Sequence, residues 1–182
     1  MRTVYSDRHH LHHGHAELHD GQMVPCFEMP RRAEMILQRV RAVGLGEVIP
    51  PVTFGLGPIR RVHTPGYVEF LATAWRDWTA LGRTNDALPL VWPVRSMRGD
   101  RIPDHIDGRL GYYSSDAGVP ITAGTWDALQ AGADVAVTAA RRPCVCVTLP
   151  TSCGARAANS AMPVKVQRSP KRRPYSAPTE SS

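Results

Sequence analysis

Hydrophobic periodicity ends near Arg142, and this boundary limits how much of the chain can fold. Residues 143–182 are rich in Pro, Ser, Thr and Arg and show no repeat of two or 3.6 residues. Such a composition cannot bury enough apolar surface to offset the entropy lost on ordering. We therefore expect one folded domain over residues 1–142, followed by a disordered basic Pro/Ser-rich tail over residues 143–182.

Three segments of the first 142 residues have the spacing of amphipathic helices. They run from Pro30 to Gly44, from Pro65 to Gly82 after a capping Thr64, and from near Thr122 or Thr125 to about Arg142. Residues 1–6 are predicted to form a short strand, and residues 47–55 are a candidate strand followed by a loop. Residues 7–29 are interpreted as a polar His-rich loop, and residues 83–121 as an extended loop with one or two short pieces of structure.

The positive charge of the chain is concentrated in the tail. The formal net charge is +6, yet residues 1–142 carry 16 Lys and Arg against 15 Asp and Glu, whereas residues 143–182 carry 6 against 1. The motif RSPKRRP resembles a nuclear-localisation or phosphate-binding patch, but a disordered, out-of-frame run of arginines is the preferred explanation. A nucleic-acid-binding domain would carry basic residues and aromatic residues on one folded face. We therefore do not expect a nucleic acid partner.

The sequence also lacks the usual signals of membrane insertion and export. No apolar run approaches the ~20 residues needed to cross a bilayer, and the start MRTVYSDRHH does not resemble a secretory signal. We expect a cytoplasmic protein without membrane association. The four cysteines lack the paired two-residue spacing of a zinc knuckle and are interpreted as free thiols: Cys26, Cys144, Cys146 and Cys153.

Three motifs occur in a specific order: HHLHHGHAELHDGQMVPCFEMPRRAEMIL from His9, RRVHTPGYVEFLATAW from Arg60, and RIPDHIDGRLGYYSSDAGVPITAGTWDAL from Arg101. Together they resemble the opening of bacterial acetylpolyamine amidohydrolases, in the histone deacetylase family, over residues 1 to about 142. The resemblance implies an α/β fold, namely a partial, truncated parallel-sheet deacetylase (arginase-like) fold. It also implies acetylated polyamine or acetyl-lysine as substrate, and it is compatible with a homodimer.

The implied reaction is hydrolysis of an acetyl amide by water polarised on a zinc ion. In the family two aspartates and a histidine hold the metal, and the base belongs to an adjacent histidine pair, all after the third helix. This chain has no histidine beyond His105 and no PGHHA-like motif after Arg142. We therefore expect no catalytic residue and no bound zinc in this chain, which would be an inactive fragment. A frameshift near Arg142 and genuine divergence of the tail both explain the change.

Three residues are candidate substrate-binding residues through the resemblance. Glu17 and His19 fall where the family's loop approaches the substrate channel, with His19 at a position that is usually aromatic. Asp107 matches an acidic residue that accepts hydrogen bonds from substrate near the rim, where a carboxylate would also attract a cationic amine. A solvated loop acid is the alternative for Asp107.

The histidine-rich loop leaves a further alternative open, because imidazoles at short spacing bind transition metals. Either the chain is a His-loop metal-binding protein, or these histidines only surround the mouth of the active site. A flexible loop does not fix a coordination geometry, which favours the second interpretation. The histidines are His9, His10, His12, His13, His15 and His19.

Overall fold

A three-stranded parallel sheet organises the molecule. The computed structural model describes residues 1–94, 96 and 98–142, and the backbone of residues 145–147. The strands are β1 (Arg2–Val4), β4 (Val48–Ile49) and β5 (Val145–Val147), in the order β4-β1-β5. Thr3 aligns with Val48 on one side and with Cys146 on the other, and both pairings are parallel. The predicted α/β fold with a parallel sheet is confirmed.

Five helices accompany the sheet in the part of the chain that the structure describes. They are α1 (Pro30–Ala42), α2 (Gly57–Val62), α3 (Pro65–Thr79), α4 (Ile106–Tyr113) and α5 (Thr125–Ala140). The three helices expected from periodicity are confirmed as α1, α3 and α5. The α4 helix is a short piece of structure inside the predicted 83–121 loop, whereas α2 was not predicted.

Local sequence explains where the long helices begin and end. Proline occupies the first position of α1 and α3, where its missing N–H costs nothing. The Thr64 hydroxyl accepts a hydrogen bond from the Tyr67 amide at 3.4 Å, which caps α3. Gly82 has a φ of 75°, a left-handed conformation that prevents the helix from continuing beyond the end of α3.

Two apolar clusters hold these elements together. In the first, Val4 of β1 packs against Val135 and Ala139 of α5, so this helix covers the central strand. The second cluster joins α3 to α4 and to the segment before α5, and its buried members are Phe70, Ala74, Trp78, Ala87, Ile106, Leu110 and Ile121. The second cluster positions the start of α4, where Asp107 lies.

The predicted loop over residues 7–29 is corrected, because it contains regular structure. A 3-10 helix spans Asp7–Leu11, and an antiparallel hairpin pairs β2 (Ala16–His19) with β3 (Gln22–Pro25). Asp20 and Gly21 form its turn with φ values of 49° and 77°. Both are positive, as a two-residue hairpin turn of the Asp-Gly type requires.

A short strand lies beyond the boundary predicted at residue 143. Val145–Val147 extend the sheet next to β1, inside the segment predicted as a disordered tail. The strand β5 pairs with β1 because β1 has backbone hydrogen-bonding groups on both sides, and β4 uses only one side. The remainder of the predicted disordered tail, residues 148–182, lies outside the described residues.

Candidate functional site

The β2–β3 hairpin carries two of the candidate residues. The Glu17 side chain is buried, and its Oε2 accepts a hydrogen bond from the Phe27 amide at 3.1 Å. The Leu18 amide donates to the Ala117 carbonyl at 3.2 Å, which joins the hairpin to the segment after α4. The buried Glu17 carboxylate therefore fixes the segment that follows β3 through its hydrogen bond with Phe27.

His19 lies on the same strand but faces solvent. Its ring contacts the Phe27 ring edge-on, with centroids 5.5 Å apart, and its Nε2 is 3.6 Å from a carboxylate oxygen of Asp20. More than half of the His19 side chain is exposed. Glu17 and His19 share one strand face, and of the two His19 is the one available to a molecule in solution.

Asp107 lies in the first turn of α4 and forms an ion pair with Arg83. The Arg83 guanidinium donates from Nη2 to Oδ2 at 2.9 Å and from Nη1 to Oδ1. These hydrogen bonds lower the pKa of the Asp107 carboxyl, and they outweigh the opposing effect of desolvation. His105 Nδ1 lies 3.5 Å from Oδ2. About a third of the Asp107 side chain remains exposed, so the carboxylate can still reach solvent.

Arg83 is itself held by α3. Its guanidinium lies 4.1 Å from the centroid of the Trp78 ring, a cation–π arrangement. The Trp78 indole N–H donates to the Asn85 carbonyl at 2.7 Å, which fixes the turn that carries Arg83. Sequence reasoning did not identify Arg83, because nothing in the spacing of residues 83 and 107 indicates that they meet.

The structure brings Glu17 and His19 together but does not join them to Asp107. Asp107 makes its polar contacts with Arg83 and His105, whereas Glu17 and His19 make theirs within the hairpin region. The link between the two groups is indirect and passes through the segment that follows α4. Substrate binding by these residues remains a prediction.

Burial changes the acid–base properties of two other groups near the hairpin. Desolvation, followed by the negative charges of Glu17 and Asp86, raises the pKa of the Cys26 thiol to about 11. Desolvation also lowers the pKa of His12, whose Nδ1 is 2.8 Å from the Thr125 hydroxyl. The region therefore favours a neutral thiol and a neutral imidazole at physiological pH.

The described residues do not fit the zinc site that the resemblance implies. Within residues 1–94, 96 and 98–142, the one group of three or more potential metal ligands consists of His9, His10 and Glu34. It contains no aspartate, whereas the family's metal is held by two aspartates and a histidine. We therefore derive no catalytic step through zinc for this part of the chain.

The length and apolar character of the described helices were compared with what a membrane-spanning helix needs. Over the part of the chain that the structure describes, none of them combines the length and the apolar character needed to span a bilayer.

Comparison with known proteins identifies close sequence relatives for the folded part. Acetylpolyamine amidohydrolase 2 of Pseudomonas aeruginosa is 62% identical over 138 residues, which are 76% of this chain and 40% of the relative. Acetylpolyamine amidohydrolase 1 of the same organism is 51% identical over 140 residues, with the same coverage. The acetylpolyamine amidohydrolase of Mycoplana ramosa is 42% identical over 128 residues. No protein-family model matches the chain.

A solved structure agrees with these relatives. The acetylpolyamine aminohydrolase of Burkholderia pseudomallei superposes with a TM-score of 0.68 at 29% identity, over 77% of this chain and 40% of that chain. This chain thus spans about 40% of the length of the curated relatives it matches. Sequence identity and fold agree over about the same share of the chain. The matched part of this chain therefore belongs to the acetylpolyamine amidohydrolase family and corresponds to an amino-terminal portion of its members.

Proposed function

We propose that residues 1–142 form the amino-terminal portion of a zinc-dependent deacetylase that hydrolyses acetylated polyamines in the cytoplasm. The observation that carries this proposal is 62% and 51% identity to two acetylpolyamine amidohydrolases over 138 and 140 residues. Acetylated polyamine is preferred to acetyl-lysine because the relatives are named for polyamine substrates. The relatives favour neither a nucleic-acid-binding tail nor a His-loop metal-binding protein as the function of the chain.

In this proposal Asp107 interacts with the cationic part of the substrate. Its carboxylate is ionised at neutral pH, is partly exposed, and has lone pairs beyond those used by Arg83. An arriving ammonium group would donate to these remaining lone pairs while Arg83 keeps its two hydrogen bonds. Arg83 stacked on Trp78 would then hold the carboxylate in place while leaving one edge of it to the substrate.

Glu17 and His19 have different roles in this proposal. Glu17 is buried and hydrogen-bonded to the Phe27 amide, so its contribution to substrate binding would come through positioning the hairpin. His19 is exposed on the same strand and would contact the substrate from the hairpin. The imidazole ring offers weaker apolar contact than the aromatic residue usual in the family, so we expect His19 to contribute less than Asp107.

The 182-residue chain by itself is proposed to be inactive. Its described residues do not supply the family's zinc ligands, and the printed sequence has no histidine beyond His105. Polarisation of the water and proton transfer carry the rate of such a reaction, so losing the zinc and the base together leaves little catalysis. Sequencing across codon 142 tests the frameshift explanation, which requires the missing histidine and aspartate motifs in another frame.

A chimera tests the function directly. It joins residues 1–142 of this chain to the remaining part of Pseudomonas aeruginosa acetylpolyamine amidohydrolase 2, and acetate release from acetylated putrescine is measured with zinc and with a chelator. We expect zinc-dependent activity that the chelator abolishes. A folded chimera without activity would contradict the proposal.

Substitutions in the chimera test the substrate-binding residues. We expect Asp107→Asn to raise KM for acetylated putrescine about tenfold with little change in kcat, since about 1.4 kcal/mol of binding corresponds to one decade. His19→Ala should have a smaller effect in the same direction. Asp100→Asn is the control, because Asp100 pairs with Arg98 at the exposed surface. Equal effects at positions 100 and 107 would remove the assignment of Asp107.

A further inference from the structure

Three metal-binding side chains converge away from the candidate substrate residues. His9 and His10 lie on the 3-10 helix Asp7–Leu11, and Glu34 lies on α1. One ligand atom from each residue lies within 4.8 Å of the other two. His10 Nε2 is 3.4 Å from Glu34 Oε1. The 3-10 helix and the start of α1 therefore bring together residues separated by more than twenty positions.

His9 has an unsatisfied ring nitrogen. Its Nδ1 is 2.8 Å from the Ser6 carbonyl oxygen, which can only accept, so Nδ1 carries the proton and donates. Nε2 then carries a lone pair, and it is buried without a hydrogen-bond partner among the described residues. The residue is 6% exposed. Buried polar atoms normally find a partner, so this nitrogen requires an explanation.

The arrangement of His9 matches that of a metal-binding histidine. Such residues donate one ring N–H to a carbonyl or carboxylate, which fixes the tautomer and directs the other nitrogen at the metal. Ser6 provides that carbonyl. A zinc ion with ligands at about 2.0–2.1 Å in tetrahedral geometry places neighbouring ligand atoms about 3.4 Å apart. The 3.4 Å between His10 and Glu34 agrees with this value.

We propose that His9 Nε2, His10 Nε2 and the Glu34 carboxylate bind one divalent transition-metal ion of the zinc type. Two imidazoles and one carboxylate suit zinc better than magnesium or calcium, which prefer all-oxygen sites. The exposed sides of His10 and Glu34 leave the fourth position to water. This ion is separate from the catalytic zinc proposed for the complete enzyme, and its binding does not depend on that proposal.

An ordinary ion pair explains only part of this geometry. Protonated His10 beside Glu34 would account for their 3.4 Å distance, but it leaves His9 Nε2 without a partner. The remaining histidines of the same region do not converge with these three: His12 contacts Thr125, and His15 contacts Asp86. The site is therefore defined by tertiary packing against α1, and it is distinct from a flexible loop that binds metal through its composition.

Metal binding at this position would connect two elements that pack near the sheet. The 3-10 helix already contacts α5 through Arg8, whose Nη2 is 3.3 Å from Asp127 Oδ1. A bound ion would add a link from the same helix to α1. We expect zinc to raise the thermal midpoint of the chain, because a ligand that binds the folded state shifts the unfolding equilibrium.

The test uses the full 182-residue chain purified without an oligohistidine tag. Zinc is titrated calorimetrically, and Co²⁺ is added separately because tetrahedral cobalt gives a strong visible absorption band. We expect one ion per chain and a tetrahedral cobalt spectrum. His10→Gln and Glu34→Gln should weaken zinc binding at least about tenfold, since even the outer-shell partners of such ligands contribute 10–100-fold. His9→Gln should do the same.

Two controls make the test decisive. His13→Gln removes an exposed histidine of the same segment, and it should leave the affinity unchanged. A chain with Cys144, Cys146 and Cys153 replaced by Ser excludes these three residues as thiolate ligands. Because His9 is buried, its substitution could disturb folding, so the half-exposed His10 and Glu34 variants decide the result after circular dichroism confirms their structure. Equal weakening by His13→Gln, unchanged binding in Glu34→Gln, or no binding by the parent chain would overturn the proposal.

Discussion

Arg83 and Asp107 form a bidentate ion pair that connects the turn after α3 to the start of α4. Nη2 donates to Oδ2 at 2.9 Å and Nη1 donates to Oδ1, while the guanidinium also stacks on Trp78. Planar guanidinium and carboxylate groups match in this geometry, which lysine could not reproduce. The pair therefore fixes the orientation of the acid that we propose to meet the substrate amine.

This ion pair predicts a specific dependence of stability on pH. The hydrogen bonds from Arg83 lower the Asp107 pKa, so the carboxylate stabilises the fold above the unfolded value of about 3.9, and this contribution is lost as pH falls through the folded value. In thermal melts, Asp107→Asn should be less stable than the parent at pH 5–7. The difference should shrink below about pH 4. Asp104→Asn, at an exposed carboxyl in the same segment, should show no such convergence.

A pair of glycine substitutions tests the packing of α4. A Cβ atom at Gly111 would lie 1.6 Å from the Val91 carbonyl oxygen, so Gly111→Ala must displace backbone. We expect a loss of about 2 kcal/mol or more in the free energy of unfolding, as in other overpacked sites. At Gly132, in α5, nothing lies within 4 Å of the added Cβ. Gly132→Ala should stabilise the chain by about 0.5–1 kcal/mol, and urea titration measures both.

The thiol of Cys26 should be nearly unreactive in the folded chain. Its pKa of about 11 leaves roughly a hundredfold less thiolate at pH 8 than an ordinary cysteine has. In a variant with the three tail cysteines replaced by Ser, labelling by a thiol reagent should be slow and should become fast in guanidinium chloride. Rapid labelling without denaturant would contradict the burial of this side chain.

Catalysis by the unmodified 182-residue chain provides a further prediction. We expect no acetate release from acetylated putrescine or acetyl-lysine above the metal-free background, with or without added zinc. Turnover at about 1 per second or faster, a rate typical of enzymes, would show that the active site has been misplaced. The zinc titration proposed for His9, His10 and Glu34 is read by calorimetry and is independent of this assay.

Periodicity predicted the long helices well, because each of them buries one apolar stripe that recurs in the sequence. Ala33, Leu37 and Val40 of α1 are buried as the spacing indicated. The parallel sheet and the family came from the resemblance, since strands of two or three residues carry almost no pattern of their own.

The hairpin and the site contacts were missed for different reasons. The Asp20–Gly21 signal was present in the sequence, but the flanking strands of four residues alternate too weakly to stand out. Arg83 with Asp107, and His10 with Glu34, are contacts between distant positions. Neither pair has a local spacing rule, so only the folded chain reveals them.

The central position of β1 has a consequence for synthesis. Arg2 leaves the ribosome well before its partner Val145, which lies 143 positions later in the sequence. At 5–20 residues per second, the strand waits on the order of ten seconds for that neighbour. During this interval β1 can pair with β4, but Val4 stays uncovered until Val135 and Ala139 of α5 emerge. The nascent chain therefore presents an apolar, hydrogen-bonding edge to chaperones until residues 135–147 have emerged.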